Sequence, residues 1–288
     1  MSKALVLGGG GPVGVAWEAG LLAGLADAGV DLSDADRIVG TSAGSIVGAR
    51  LARGDAPADL FTASATVSSP GGGGPAVDAE ALTVIGTAIF EGITGARPHD
   101  EIVRELGQKA LAAQTITEEQ FVDVVGPTLG PDWPERDYAC TAFDVDSGDF
   151  VTWDAASGAP FDRAVTSSCA VPALFPPITI GGRRYMDGGV ISGTNAALAA
   201  GHDKVVIVSI ISRVVPGAEE FLRGPLDLEI TALRDAGAEV ELLEFDDATQ
   251  AAAGGDLMSF TLAVVDAVGA AGLAQGRAEA ERMGALWG

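Results

Sequence analysis

Gly40-Thr41-Ser42-Ala43-Gly44 has the G-x-S-x-G spacing, between a short apolar run (Arg37 to Val39) and an Ala-rich stretch (Ala43 to Arg53). Strand, tight turn, helix is the context that gives the pattern chemical meaning. Two glycines let the chain turn sharply, so Ser42 Oγ stands exposed at a helix N-terminus. There the free N–H groups and the helix dipole favour developing negative charge. That arrangement suits attack on a carbonyl, provided another residue takes the serine proton.

Two histidines and one well-placed carboxylate are the candidate bases. His99 follows Pro98 and reads as a first-turn helix residue with a capping role. His202 precedes Lys204 to Ile210, the strongest strand pattern in the chain. That puts His202 at the N-terminal end of a parallel strand, whereas sites in open parallel sheets form at the C-terminal ends. The order Ser42, Asp187, His202 does mimic a hydrolase triad. Asp187 opens Asp187-Gly188-Gly189, after the strand-like Arg183 to Met186. A desolvated carboxylate within reach of a serine can accept its proton. The same tripeptide can also be an ordinary turn.

Gly8 to Gly14 (GGGGPVG) lies between a strand-like run, Ala4 to Leu7, and a helical stretch, Gly14 to Ala28, that stops at Gly29. It contains G-x-G-x-x-G at Gly9, Gly11 and Gly14. A dinucleotide site is one reading, and would make the chain a Rossmann-type oxidoreductase. That reading needs an acid at the end of the second strand, but Asp31, Asp34 and Asp36 precede it. An oxyanion hole is a second reading, since consecutive glycines leave backbone N–H groups open to a carbonyl oxygen. A tight structural turn is a third. A P-loop is excluded, because no Gly-Lys-Ser/Thr follows.

The elements that must position these residues read as α/β. Strand, glycine turn and helix occur twice in succession, which implies a parallel sheet with helices on its faces. Ser68 to Pro75 (SSPGGGGP) reads as a flexible loop, with helix from Ala79 to Gln114 and a capping box at Thr117 to Gln120. Tyr138 to Asp144 and Phe150 to Trp153 read as paired strands, Glu239 to Glu244 as one more strand, and Gly255 to Leu286 as mostly helix. The 288 residues are read as one domain, with motifs within 3–210 and a largely helical remainder, 211–288. The net charge of −23 repels nucleic acid and anionic surfaces, leaving at most peripheral membrane contact. Cys140 and Cys169 make neither a disulfide framework nor a zinc site, so no metal is expected. Without a signal-peptide or membrane-span pattern, the chain reads as cytoplasmic.

Taken in order, the glycine loop, the G-x-S-x-G pentapeptide and Asp187-Gly188-Gly189 resemble the patatin-like phospholipase family. Ser167-Ser168-Cys169-Ala170-Val171-Pro172-Ala173-Leu174-Phe175-Pro176-Pro177 resembles that family's segment before Asp-Gly-Gly. The likeness spans roughly Lys3 to Ile210. It implies a three-layer α/β/α fold with a mainly parallel sheet, and a Ser–Asp dyad without histidine. Ser42 is carried over as nucleophile, Asp187 as base, and the backbone of Gly9, Gly10 and Gly11 as oxyanion hole. Gly14, Gly40, Gly44, Gly188 and Gly189 are the motif glycines. The implied activity is hydrolysis of acyl esters of lipids through an acyl-enzyme, with no cofactor. Ala170 to Ile178 is expected to line the acyl pocket. A non-catalytic lipid-binding member of the fold is the remaining alternative. Val13 stands where the family usually carries a basic residue, so Arg183 and Arg184 are the nearest cations in sequence to the motif aspartate.

Overall fold

The computed structural model describes residues 1–64, 83, 85–88, 90–91, 96–127, 129–210, 219–255 and 258–288. The Ser68 to Pro75 loop lies outside the described residues. Eight strands form one sheet. Strands β1 (Lys3–Leu7), β2 (Arg37–Gly40), β3 (Asp137–Asp144), β7 (Lys204–Ser209) and β8 (Glu239–Glu244) are parallel, in the order β3-β2-β1-β7-β8. Strands β4 (Phe150–Trp153), β5 (Ile178–Ile180) and β6 (Arg183–Asp187) add antiparallel pairings at one side.

Alternation along the central strands sends side chains to two cores. Leu5, Leu7, Ile38, Val206 and Val208 face the larger core. It is covered by α1 (Gly11–Asp27), α2 (Ala43–Ala52) and α9 (Leu262–Trp287). Ala4, Val6, Val39, Val205 and Ile207 face the other, covered by α7 (Glu219–Asp235) and the turn Ala196–Ala199. Continuous apolar runs such as Lys204–Ser209 follow from burial on both faces. The result is a three-layer α/β/α fold with a mainly parallel sheet.

One register decides where the site can be. Cys140 on β3 pairs with both Gly40 and Trp153, and Ala142 pairs with both Val151 and Asp187. Hence β2 and β6 lie end to end along one edge of β3, with β4 along the other. The end of β6 thereby meets the end of β2, two residues apart on the shared strand.

The remaining described helices are α3 (Pro57–Ser64), α4 (His99–Ala112), α5 (Glu118–Val125), α6 (Phe161–Ser168) and α8 (Asp247–Ala253). The capping box before α5 forms in both directions, Thr117 Oγ1 accepting from Gln120 N–H and Gln120 Oε1 from Thr117 N–H. The late helix begins at Leu262, seven residues after the expected Gly255, with Thr261 as its N-cap, and Gly254 in a left-handed conformation ends α8. Helix α9 lies against α1 through glycines on both sides. A Cβ on Gly20 would sit 2.2 Å from the Gly269 carbonyl oxygen, and one on Gly276 would sit 2.2 Å from that of Leu21. Among the described residues no helix is long and apolar enough to cross a membrane.

Candidate active site

Ser42 sits between β2 and α2 with φ 52° and ψ −116°, a conformation that side chains seldom adopt. The surrounding glycines permit the turn. A Cβ on Gly44 would lie 2.2 Å from the Leu7 carbonyl oxygen, and one on Gly40 would lie 2.5 Å from Ser45 Cα. No larger residue fits at either place. Gly44 N–H donates to Gly8 O at 2.9 Å, tying the elbow to the end of β1. Ser42 N–H donates to Ser168 Oγ at 3.0 Å, and the Ser42 carbonyl accepts from Ser45 Oγ at 2.6 Å. The backbone of Ser42 is thus fixed, and its hydroxyl is left to face Asp187.

Asp187 ends β6 at a buried position, 5% exposed. Burial pushes its carboxyl up from 3.8 to about 7, and the Gly189 N–H and Ser42 hydroxyl pull it partly back. The Gly189 N–H contact is 2.7 Å. Gly188 packs on Thr141, where a Cβ would meet Oγ1 at 2.2 Å, so the turn after Asp187 lies flat on β3.

Asn195 is a residue that sequence reading did not single out. It takes a left-handed conformation, φ 50°, and is buried. Its Nδ2 lies 3.0 Å from Thr41 Oγ1, 3.3 Å from Thr141 Oγ1, 3.2 Å from Gly188 O and 3.1 Å from Ser192 O. Two carbonyl oxygens around one atom require a donor there, which fixes the amide's orientation. One amide thus holds the neighbours of both Ser42 and Asp187. Glu229 of α7 braces this loop, its Oε2 accepting from Thr194 Oγ1 at 3.0 Å and Ala196 N–H at 2.9 Å. An Asn eight residues past the Asp of Asp-Gly-Gly, before a strand, was the only signal available.

The glycine loop lies against the elbow, with a Cβ on Gly9 falling 3.3 Å from Ser42 Cβ and one on Gly14 falling 3.1 Å from Ala43 Cβ. Gly9 N–H does not remain open as expected: it donates to Gly193 O at 2.8 Å. Gly10 and Gly11 N–H meet no acceptor among the described residues. Val13, in the first turn of α1, is fully buried in the larger core. Arg183 and Arg184 are ion-paired with Asp144 at 2.6 Å and Asp146 at 3.4 Å. His202 accompanies the N-terminal end of β7, where Lys204 pairs with Lys3, and its Nδ1 lies 3.0 Å from Ala199 O. Ser42 lies past the opposite end of β1, roughly 13 Å or more away at strand rise. The structure does not bring that histidine to the serine. His99 is the first residue of α4.

Beside Ser42 opens a cavity of about 280 Å³, walled by Val15, Ile46, Phe121, Val171, Phe175 and Phe260 among others. Phe121 stacks on Phe175, with ring centroids 4.3 Å apart. The expected lining segment, Ala170 to Ile178, thus contributes Val171 and Phe175. Cys169 also reaches this wall, and burial keeps it a neutral thiol by pushing its pKa up. Among the described residues, no group of three metal-ligating side chains occurs.

The site is thus an α/β sheet carrying a strained serine elbow that faces a buried aspartate, beside an apolar cavity. The chain belongs to the patatin-like phospholipase family, whose model matches residues 5–200. That is a family of lipid hydrolases, and the assignment displaces the dinucleotide-binding reading of the glycine loop. No curated protein sequence matches the chain. Among solved structures it is similar to VipD from Legionella pneumophila, at 14% identity over 72% of this chain and 50% of that one, with a TM-score of 0.40. It is also similar to the type III effector protein ExoU, at 16% identity over 98% of this chain and 53% of that one, with a TM-score of 0.40. The chain spans about half the length of these structures.

Proposed function

We propose that this chain is a serine acyl hydrolase that cleaves carboxylic esters of lipids, with Ser42 and Asp187 as a dyad. The observation that carries the reading is the Ser42 hydroxyl facing a buried carboxylate whose pKa burial has brought to about 7. A base near the working pH takes a proton and returns it with little loss at either step. Asp187 takes the Ser42 proton as Oγ attacks the ester carbonyl carbon. The oxyanion of the tetrahedral intermediate accepts from Gly10 and Gly11 N–H, which have no other partner among the described residues. Gly9 serves the hole by its missing side chain, because its N–H is engaged by Gly193. Collapse expels the alcohol, which receives the proton back from Asp187. Water, deprotonated by Asp187, then attacks the acyl carbon, and the acid leaves as Asp187 returns the proton to Ser42 Oγ. The apolar cavity holds the acyl chain.

The test is a panel of nitrophenyl esters, lysophospholipids, phospholipids and triglycerides, run on wild type and Ser42→Ala. Ser42→Ala should lose activity by roughly 10³ or more, and lose labelling by a fluorophosphonate, while staying folded. Activity within a few-fold of wild type sinks the mechanism. Lipid binding with neither labelling nor turnover would make the chain a non-catalytic member of its family.

A further inference from the structure

Among the described residues that line the cavity beside Ser42, one is charged, Arg50. Its place follows from the helix. Ser42, Ala43, Ile46, Val47 and Arg50 all line the cavity, a spacing that keeps to one side of α2. At helical rise the Arg50 backbone lies about 12 Å beyond Ser42, roughly two turns. The cavity therefore runs from Ser42, past an apolar middle, to Arg50.

Arg50 is only partly committed. Its Nε donates to Asp55 Oδ2 at 2.7 Å, and its two terminal nitrogens have no acceptor among the described residues. An ion pair that served only to finish α2 could sit on the outer surface of that helix. Here the residue is in an apolar wall with its side chain 24% exposed, where screening is weaker than in open water. Two parallel N–H groups of a guanidinium match a carboxylate or a phosphate. The glycine loop offers no cation, since Val13 is buried, and Arg183 and Arg184 are held by acids elsewhere.

We propose that Arg50 is the anion-recognition residue of this cavity, and that the substrate carries a carboxylate or phosphate about two helical turns from the ester carbonyl. The inference rests on the acyl-hydrolase reading for the position of the ester. Its substrate class is an acyl ester with an anionic end, either an acid-ended acyl chain or a phosphorylated lipid. Such a substrate satisfies the guanidinium and fills the apolar middle with methylenes.

The test measures binding without turnover, on the full chain carrying Ser42→Ala. Calorimetry compares monomethyl sebacate with methyl decanoate, and monodecyl phosphate with decanol. The anionic member of at least one pair should bind about tenfold or more tightly, the strength of a hydrogen bond to a charged group. Adding Arg50→Gln should bring that ratio to about one, and Arg50→Lys should keep part of it. Thermal unfolding of each variant verifies that it is folded. A preference in the carboxylate pair alone identifies an acid-ended chain, and one in the phosphate pair alone a phosphorylated lipid. Equal binding within both pairs, or a preference that survives Arg50→Gln, overturns the proposal. If wild type turns over no ester while the Arg50-dependent preference holds, the hydrolase reading fails and the anion site stands.

Discussion

Asp187→Asn should abolish activity and, above neutral pH, stabilise the fold. Burial raises the Asp187 carboxyl from 3.8 to about 7, against the smaller opposing effects of Gly189 N–H and Ser42. Below about pH 4 the group is protonated in the folded and the unfolded chain alike, and its burial costs nothing through ionisation. Between about 4 and about 7 the unfolded chain releases the proton while the folded chain keeps it. Unfolding therefore becomes easier as pH rises through that window. Above about 7 the folded state carries the full penalty, about 4 kcal/mol for the difference between 3.8 and about 7. Asparagine cannot ionise, and its side-chain oxygen still accepts from Gly189 N–H. The variant should gain up to about 4 kcal/mol over wild type near pH 8, shrinking to about zero near pH 4. Urea unfolding of both proteins across that range measures the gain. The difference between the two curves cancels other buried acids, such as Glu18, whose carboxyl burial also raises. Wild-type kcat/KM should fall as pH drops through about 7, to roughly a tenth of its plateau near pH 6. A stability difference that does not change with pH, or an acid limb centred near pH 4, refutes the reasoning.

Two further outcomes follow from the same geometry. His202→Ala, folded, should keep kcat/KM for a nitrophenyl ester within about twofold of wild type, because its ring lies at the far end of the sheet. A folded but dead variant, with Ser42 unreactive to fluorophosphonate, would restore a Ser-Asp-His triad. Asn195→Ala should lower kcat about 10- to 100-fold per labelled site and broaden the acid limb of the pH profile, since it frees the neighbours of both dyad members. Loss of labelled sites with unchanged kcat per site would reduce Asn195 to a stabilising role.

The parallel sheet was legible because each half of the motif set falls at a strand end, and strand ends have local signatures. Apolar runs stop at glycines, as Leu7 does before Gly8 and Val39 before Gly40. The residues made Asp187 one candidate partner of Ser42 among three, and the resemblance singled it out. The physical cause of the pairing, the shared edge of β3, is a register between strands about a hundred residues apart, which no local pattern encodes. Asn195 escaped notice for the same reason. Its four contacts come from three separate segments, and a lone Asn in a turn carries no period. Helix α7 falls in the stretch 211–288 read as largely helical, and it accommodates Pro225 in its interior. Gly9 was expected to keep an open N–H because glycine spacing reports backbone openness, and what meets that backbone, here Gly193 O, comes from far along the chain.

The glycine seam between α1 and α9 bears on the order in which the molecule assembles. Helix α1 begins at Gly11, so the two open amides beside Ser42 are set by how that helix is seated. Its seat is a helix made much later in synthesis than α1 itself, and the Trp17–Gln275 hydrogen bond at 2.8 Å joins residues 258 positions apart. Closing so long a loop is entropically slow, and the seam tolerates no side chain while it closes. A nascent chain therefore carries its serine elbow, all local turn and glycine, well before its glycine loop is pressed into place. On the acyl-hydrolase reading, reactivity should arrive last, with the closing of the seam, because until then Ser42 stands without the open amides of Gly10 and Gly11 in place.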